Sequence, residues 1–298
     1  MTCVRTAWLT LGASSLLLED PVNGYFCQSL DLGYPVVRTV TNNRPAQHGI
    51  DDRTSLWGER VVSADVTALV GAGARIDQVL SLFGPYLNVS ARPVLHWILD
   101  RPGTAERVLT LRPAAFTAPI VGDNQRDLHL SWVAADPVVK DPVIQSTTAW
   151  SGSGVASGRT YPLTFPRVYP VGSGGPGATV GHVTTVGDFP VMPKLRIYGP
   201  VTNPIVHISH IDGRPYDEVR FDTGYQIPAG HFLDLDPVGK TAYTDGDTTQ
   251  PAMASIDWVN TRWATVNPSP DYGMVQLFGS STTGITQVVA TWQDAYLT

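Results

Sequence analysis

Leu128, Leu130, Trp132 and Ala134 alternate with His129, Ser131 and Val133, and this period of two constrains the chain more than any other feature. Successive side chains of a strand point to opposite faces, so such a run settles as a strand with one face buried. The alternation recurs where Val219 and Phe221 interleave with Glu218, Arg220 and Asp222. It recurs again where His231, Leu233 and Leu235 interleave with Phe232, Asp234 and Asp236. Short β-rich runs at 36–40, 61–66, 94–99, 205–208 and 285–292 extend the pattern, with turn signals such as Asp212-Gly213 and Asp245-Gly246. The tripeptide Asp-Pro-Val begins at Asp20, Asp136, Asp141 and Asp236. Proline fixes φ and the Asp oxygen accepts a following N–H, so these are turns or strand starts. With 28 Gly and 24 Pro the chain reads as mainly β.

One helix is predicted, over 74–83, where Ile76, Val79, Leu80 and Phe83 fall on one face and Gly84-Pro85 is expected to stop it. The length of 298 residues suits two domains. From about 151 to 193 the composition turns rich in Gly, Ser, Thr and Pro, with glycines at 172–177 and an aromatic stretch at 161–170 whose rings need a surface to cover. The expected boundary lies near Asp141, giving domains 1–141 and 142–298, the second opening with this irregular segment. At the N-terminus the apolar run 7–18 imitates a signal peptide. Thr10, Gly12, Ser14 and Ser15 interrupt it and Glu19-Asp20-Pro21 follows, so a strand-turn-strand start is expected.

Charge narrows the function. The net charge is −6, Lys and Arg are scattered singly, and no basic stripe exists for a phosphate backbone, so no sequence-specific nucleic-acid partner is expected. No uninterrupted apolar run is long enough for a membrane span. Cys3 and Cys27 could form one bridge but read better as small buried or free thiols. No Gly-x-Ser-x-Gly, His-Glu-x-x-His or Gly-x-x-x-x-Gly-Lys-Ser/Thr pattern is present, and the glycines at 172–177 lack the Lys and hydroxyl of a phosphate loop.

His207 and His210 lie three apart on a predicted strand and face opposite ways, so a shared metal ion is not expected. One is read as solvent-facing and one as ending the strand. Asp234, Asp236, Asp245 and Asp247 cluster around a predicted hairpin without the completing Glu of a calcium loop, and are read as turn formers. Glu19-Asp20 and Asp51-Asp52 are read as solvated turns, and the sequon Asn88-Val89-Ser90 as incidental. No catalytic residue, cofactor or metal site is nominated.

Several segments together carry a resemblance: 16–25 (LLLEDPVNGY), 30–38 (LDLGYPVVR), Asn43-Arg44-Pro45 with Gly49, Asp51-Asp52-Arg53-Thr54, and Trp57-Gly58-Glu59-Arg60-Val61-Val62. In the second half Tyr198-Gly199-Pro200-Val201-Thr202-Asn203-Pro204, Val219-Arg220-Phe221-Asp222, Gln226-Ile227-Pro228-Ala229-Gly230-His231 and Leu233-Asp234-Leu235-Asp236 continue it. In this order the chain resembles the distal tail protein (Dit-like minor tail protein) family of phages with long non-contractile tails, particularly the actinobacterial-phage type. The glycine-rich stretch at 172–181 departs from that pattern.

The resemblance implies a mainly β protein, with an N-terminal split β-barrel carrying one α-helix and a C-terminal galectin-like or carbohydrate-module-like β-sandwich. It implies a non-enzymatic structural role at the distal end of a virion tail. There a homo-oligomer, a hexameric ring, joins the tail tube protein to the hub or tip protein, with the tape-measure protein as a further expected neighbour. The barrel strands are expected to pair edge to edge in that ring. The loop bearing Asn43, Arg44, Pro45, Gly49 and Asp52 is the expected assembly contact. Only 15% of residues are charged, which fits a surface largely covered by other subunits. The alternative is a carbohydrate-binding sandwich that contacts the host cell wall through Trp258, Trp263 and Tyr272, aromatics otherwise read as core.

Overall fold

The computed structural model describes residues 4–38, 41–43, 50–52, 56–69, 76–99, 105–122, 124–151, 180–280, 282–283 and 285–297. The chain divides into two compact units, Met1–Pro142 with Tyr296–Thr298, and Val143–Ala295. The aromatic stretch at 161–170, the glycines at 172–177 and Cys3 lie outside the described residues.

In chain order the first unit contains β1 (Val4–Leu11), β2 (Ser14–Leu17), β3 (Tyr25–Asp31), β4 (Val37–Arg38), β5 (Thr41–Asn43), β6 (Ile50–Asp52), β7 (Leu56–Trp57) and β8 (Arg60–Leu69). Helix α1 (Ile76–Leu87) follows, then β9 (Val94–Leu99), β10 (Arg107–Thr110), β11 (Arg112–Thr117), β12 (Ile120–Gly122), β13 (Gln125–Ala134) and β14 (Val139–Lys140). The second unit contains β15 (Gln145–Trp150), β16 (Gly181–Val183), β17 (Lys194–Tyr198), β18 (Val201–His210), β19 (Asp217–Arg220), β20 (Gln226–Ile227), β21 (Phe232–Asp236), β22 (Thr241–Thr244), β23 (Gly273–Ser280) and β24 (Gln287–Trp292). The short β25 (Ala295–Tyr296) returns the chain to the first unit.

Two antiparallel sheets build the first unit, ordered β2-β1-β9-β10-β14-β25 and β11-β13-β8-β3, with β12 beside β13. Neither closes on itself, so the barrel is split. The period of two read from the sequence is the packing rule: Leu128, Leu130, Trp132 and Ala134 of β13 and Val62, Ala64, Val66 and Ala68 of β8 are all buried. They meet Leu9, Leu95, Trp97 and Leu109 of the opposing sheet in one core. Each buried Val and Leu among them contributes about 1.5–3 kcal/mol by leaving water. The signal-like run is the β1–β2 hairpin, with Gly12 at φ +60° in its turn.

Helix α1 closes the core with Val79, Phe83 and Tyr86. It differs from the expectation at its end, because Gly84-Pro85 does not stop it and the helix runs to Leu87. Proline removes one backbone N–H donor from the helix. Against that loss, Tyr86 and Leu87 continue the apolar stripe of Val79 and Phe83, and Tyr86 is buried against the core.

The Asp-Pro-Val tripeptides at Asp20, Asp136 and Asp236 form the same turn. The carboxylate of Asp20 accepts the Val22 N–H at 3.0 Å, that of Asp136 the Val138 N–H at 3.2 Å, and that of Asp236 the Val238 N–H at 3.0 Å. The Asp141 carboxylate lies 3.5 Å from the Arg107 guanidinium.

The second unit is a sandwich of two antiparallel sheets, β15-β24-β17-β21-β22 and β16-β23-β18-β19, with β20 beside β18. Leu233 and Leu235 are buried as expected, but β19 breaks the alternation: Asp217 and Glu218 are buried along with Val219. Both carboxylates have partners, described below. The four clustered aspartates each hold something different: Asp234 pairs with Arg196, Asp236 with Lys194, Asp245 with His231, and Asp247 with Thr249.

Glycine is required at Gly33, where φ is +58° and an added Cβ would lie 2.1 Å from the Val61 carbonyl oxygen. At Gly12 the same sign of φ meets open space. Gly33→Ala is expected to destabilise the first unit by about 3 kcal/mol and Gly12→Ala by about 1 kcal/mol. Urea denaturation of the two variants checks this.

Candidate functional site

Strands β3 and β8 pair from Tyr25↔Ala68 to Asp31↔Ser63, and beyond the sheet the two chain segments stay in step. Val36 donates to the Glu59 carbonyl, Val37 pairs with Trp57 and Arg38 with Leu56. After a one-residue slip, Thr41 pairs with Asp52 and Asn43 with Ile50. The described residues 32–38, 41–43, 50–52 and 56–59 form an arm between β3 and β8, and its ribbons belong to neither main sheet. From Asp31 to Asn43 it can reach at most about 40 Å at strand rise. Gly58 lets its two chains approach, since a Cβ there would meet Arg38 Nε at 2.8 Å and the Val36 oxygen at 3.0 Å.

The arm and its root carry unusual surface. Tyr34, Val36, Val37, Trp57 and Val61 are all exposed, Tyr34 at 75% and Trp57 at 43%. An isolated two-stranded ribbon is marginal in water, and these apolar side chains stand in solvent on it or at its root. Of the assembly residues expected from sequence, the arm brings Asn43 and Asp52 onto facing strands near its far end. Arg44, Pro45 and Gly49 lie outside the described residues. The apolar root was missed by sequence reading. Its only signal was the adjacent pair Val36-Val37, which fits no alternating strand.

Side-chain clusters that could carry chemistry have other roles. Ser29, Asp65 and His129 lie in one row on the outer face of the β8 sheet. Ser29 Oγ donates to Asp65 Oδ2 at 2.7 Å, and His129 Nδ1 meets Asp65 Oδ1 at 2.7 Å. The carboxylate stands between hydroxyl and imidazole, so the imidazole cannot take the hydroxyl proton as a nucleophilic triad requires. These bonds, that from His129 first, hold the Asp65 carboxyl below its ordinary range. Cys27 is a free thiol that burial pushes up to about 11, which leaves it a poor nucleophile.

His207 and His210 face opposite sides of β18, and among the described residues no group of three or more ligand side chains could hold a metal ion. His210 is not a bland strand end, however, since its side chain is fully buried. Arg214 Nη2 lies 2.8 Å from its Nδ1, and its Nε2 lies 3.1 Å from Asp217 Oδ2. Arg214 Nη2 also donates to Asp271 Oδ2 at 2.9 Å and to the Thr265 carbonyl. Asp217 and Asp271 further accept the backbone N–H groups of Thr265, Ile211 and Asn267. The cluster thus pins segment 264–271 to the end of β18.

The three aromatics considered for sugar contact do not converge. Trp258 and Trp263 lie 6.2 Å apart beside β19, with Trp258 half exposed. Tyr272 instead meets His182 of β16, at the opposite edge of that sheet, with ring centroids 5.5 Å apart.

No protein-family model matches this sequence, and no curated protein does. Solved structures do. The crystal structure of the Dit (gp 19.1) protein of phage SPP1, from the hub adsorption apparatus of phages infecting Gram-positive bacteria, covers 98% of this chain and 99% of its own, with a TM-score of 0.60 and 11% identity. The fold is that of SPP1 Dit. A chain of the phage p2 baseplate in its activated conformation with strontium aligns over 96% of this chain and 97% of its own, at 13% identity and a TM-score of 0.49. Both neighbours are phage tail-hub or baseplate proteins. The match to SPP1 Dit covers residues of both units.

Asp271 and Asp212 flank the same arginine but differ in exposure, 3% against 30% for their side chains. Asp271→Ala removes a buried carboxylate that binds Arg214 and accepts the Ile211 and Asn267 N–H groups, and is expected to cost about 3 kcal/mol, whereas Asp212→Ala should cost less than about 1 kcal/mol. Chemical denaturation of each variant measures the difference.

Proposed function

We propose that this protein is a structural minor tail protein of a phage tail tip, of the distal tail type. Its copies form a closed ring that joins the tail tube protein to the hub protein, with the tape-measure protein as a further neighbour. The observation that supports this reading is the match in fold to SPP1 Dit, over 98% of this chain and 99% of the other. The split barrel, residues 1–141, is the ring-forming domain, and residues 142–298 form the sandwich domain.

A ring is a head-to-tail contact that closes, so each subunit offers two different patches. The arm is one of them. Its apolar root at Val37 and Trp57 would be covered by the next subunit, with Asn43 and Asp52 toward the far end of the same contact. Six copies at −6 each would give the ring a strong negative excess, which favours passage of DNA over its retention.

The test is mass measurement of the purified protein together with negative-stain electron microscopy and immunolabelling of virions. A ring is expected, with label at the distal end of the tail. Replacing 41–52 by a two-residue turn, or changing Val37 and Trp57 together to serine, should shift the particle to monomers. The exposed serine changes should leave the unfolding midpoint within a few degrees. Normal rings from the shortened arm would remove it from the contact. A strictly monomeric protein missing from virions would overturn the reading as a whole.

A further inference from the structure

We propose that the second unit binds an oligosaccharide in a cleft at the outer edge of the β18–β19 sheet, a site independent of the ring contact and distinct from the Trp258, Trp263 and Tyr272 platform. The cleft measures about 530 Å3 and is lined by Tyr216, Glu218, Arg220, Asn260, Thr261 and Arg262, with Pro215 and Val259 at its rim.

The local chain path explains why a cleft forms there. Segment 256–262 continues the sheet past β19: Phe221 bridges to Ile256, and Glu218 and Arg262 exchange both backbone hydrogen bonds, at 3.1 and 2.7 Å. Between those two points the chain bulges out in a turn at 257–260, held by Asp257, whose carboxylate accepts the Asn260 N–H and side-chain amide at 3.2 and 2.6 Å. The wall so formed faces the non-core side chains of β19.

On that face four polar residues stand directly across the strands, in the order Gln276, His207, Glu218, Arg262. Glu218 forms the floor with only 6% of its surface exposed. Its two oxygens are fixed by Arg220 Nε at 2.5 Å and His207 Nε2 at 2.7 Å. The His207 ring is itself held between Tyr216, at 4.1 Å, and Phe278, at 5.5 Å between centroids. Polar groups locked in place in this way meet a ligand without losing rotamer freedom, which is what makes a site selective. The guanidinium of Arg262 and the amide of Gln276, by contrast, make no side-chain hydrogen bond to any other described residue, and Tyr216 leaves 54% of its surface open. The row thus keeps unused donors beside a fixed carboxylate and an exposed aromatic ring.

That combination selects the ligand class. A polyanion such as nucleic acid would meet the Glu218 carboxylate at the floor of the cleft. An apolar peptide would find a lining dominated by charged and amide groups. A pyranose fits both halves, because its hydroxyls take donors and acceptors together and its C–H face covers an aromatic ring. The outer face of the other sheet lacks this provision. Its cleft, of about 470 Å3, has its charges paired with each other, Lys194 to Asp236 at 2.8 Å and Arg196 to Asp234 at 2.6 and 2.9 Å.

The experiment uses the full chain on an immobilised panel of gluco-, galacto-, manno- and N-acetylglucosamine tetrasaccharides, followed by calorimetric titration of any that bind, with inorganic phosphate titrated in parallel. The expected result is binding of at least one panel member. It should weaken by about tenfold or more in Tyr216→Ala and in Arg262→Gln, and stay unchanged in Trp258→Ala, at an unaltered melting temperature. Arg262→Gln keeps a hydrogen-bonding side chain at an exposed position, so it tests the site even if Tyr216→Ala disturbs His207. No binding across the panel, heat from phosphate alone, or binding that survives both variants would overturn the proposal. Ring images of the same variants are expected to stay normal, so a failed sugar site leaves the tail-tip reading standing, and a failed ring leaves the sugar site testable.

Discussion

The pairing of β8 with both its neighbours is the constraint on which the first unit depends. Along β13 it runs without interruption from Arg60↔Ala134 to Leu69↔Gln125, ten residues on each strand, and every second side chain is buried from Arg60 to Ala68 on β8 and from Leu128 to Ala134 on β13. A slip of one residue would turn all of these outward, so the register is fixed by the burial it secures. With β8 held on that side, β3 can pair only along its other edge. The connection between β3 and β8 has no room in the sheet and leaves as an arm. The same burial that stabilises the unit therefore determines which residues are left uncovered.

The second unit uses buried charge in place of a long ladder to fix its irregular parts. Asp217, Glu218 and Asp271 are all under 10% exposed, a costly arrangement for isolated carboxylates. Each has an arginine or histidine and, for Asp217 and Asp271, backbone N–H groups as well. The reward is geometric. Segment 264–271 and the turn at 211–217 are not regular strands, and apolar packing alone would let them slide, whereas a directional hydrogen bond holds one position only. The Glu218 pairings do the same for His207 and Arg220 on the outer face, so one strand, β19, anchors the sandwich edge on one side and shapes a cleft on the other.

How much of this was legible in the sequence follows from how local each signal is. The strand of Leu128 to Ala134 and the turns at Asp20, Asp136 and Asp236 are set by residues within a few positions, and they form as read. Helix α1 was legible in its buried face but not at its end, because the burial of Tyr86 against distant strands outweighs the donor lost at Pro85. The roles of His210 and Glu218 were not legible. Their partners Arg214, Asp271 and Arg262 come together only through strand pairing, and a short polar alternation looks the same whether its carboxylate faces water or a buried imidazole. The arm lay within a segment singled out for other reasons, but its register joins residues from Asn43↔Ile50 to Val37↔Trp57, which no local pattern specifies.

Edge-to-edge pairing of barrel strands was the simplest expectation for contact between copies, and β3 is the strand that would offer it, as the last in its sheet. Two features of β3 argue against that route. A bulge between Cys27 and Ser29 shifts the register there, which bends the strand and interrupts the flat ladder that another edge would need. At its end Asp31 turns its carboxylate back to the Gly33 N–H, 2.9 Å away, and closes the strand. Both devices blunt an edge, while the apolar side chains that lack cover stand just beyond them, on the arm. A chain that guards its sheet edge and exposes Val37 and Trp57 is shaped to be met by a side-chain surface, and the proposed ring contact falls on the arm for that reason.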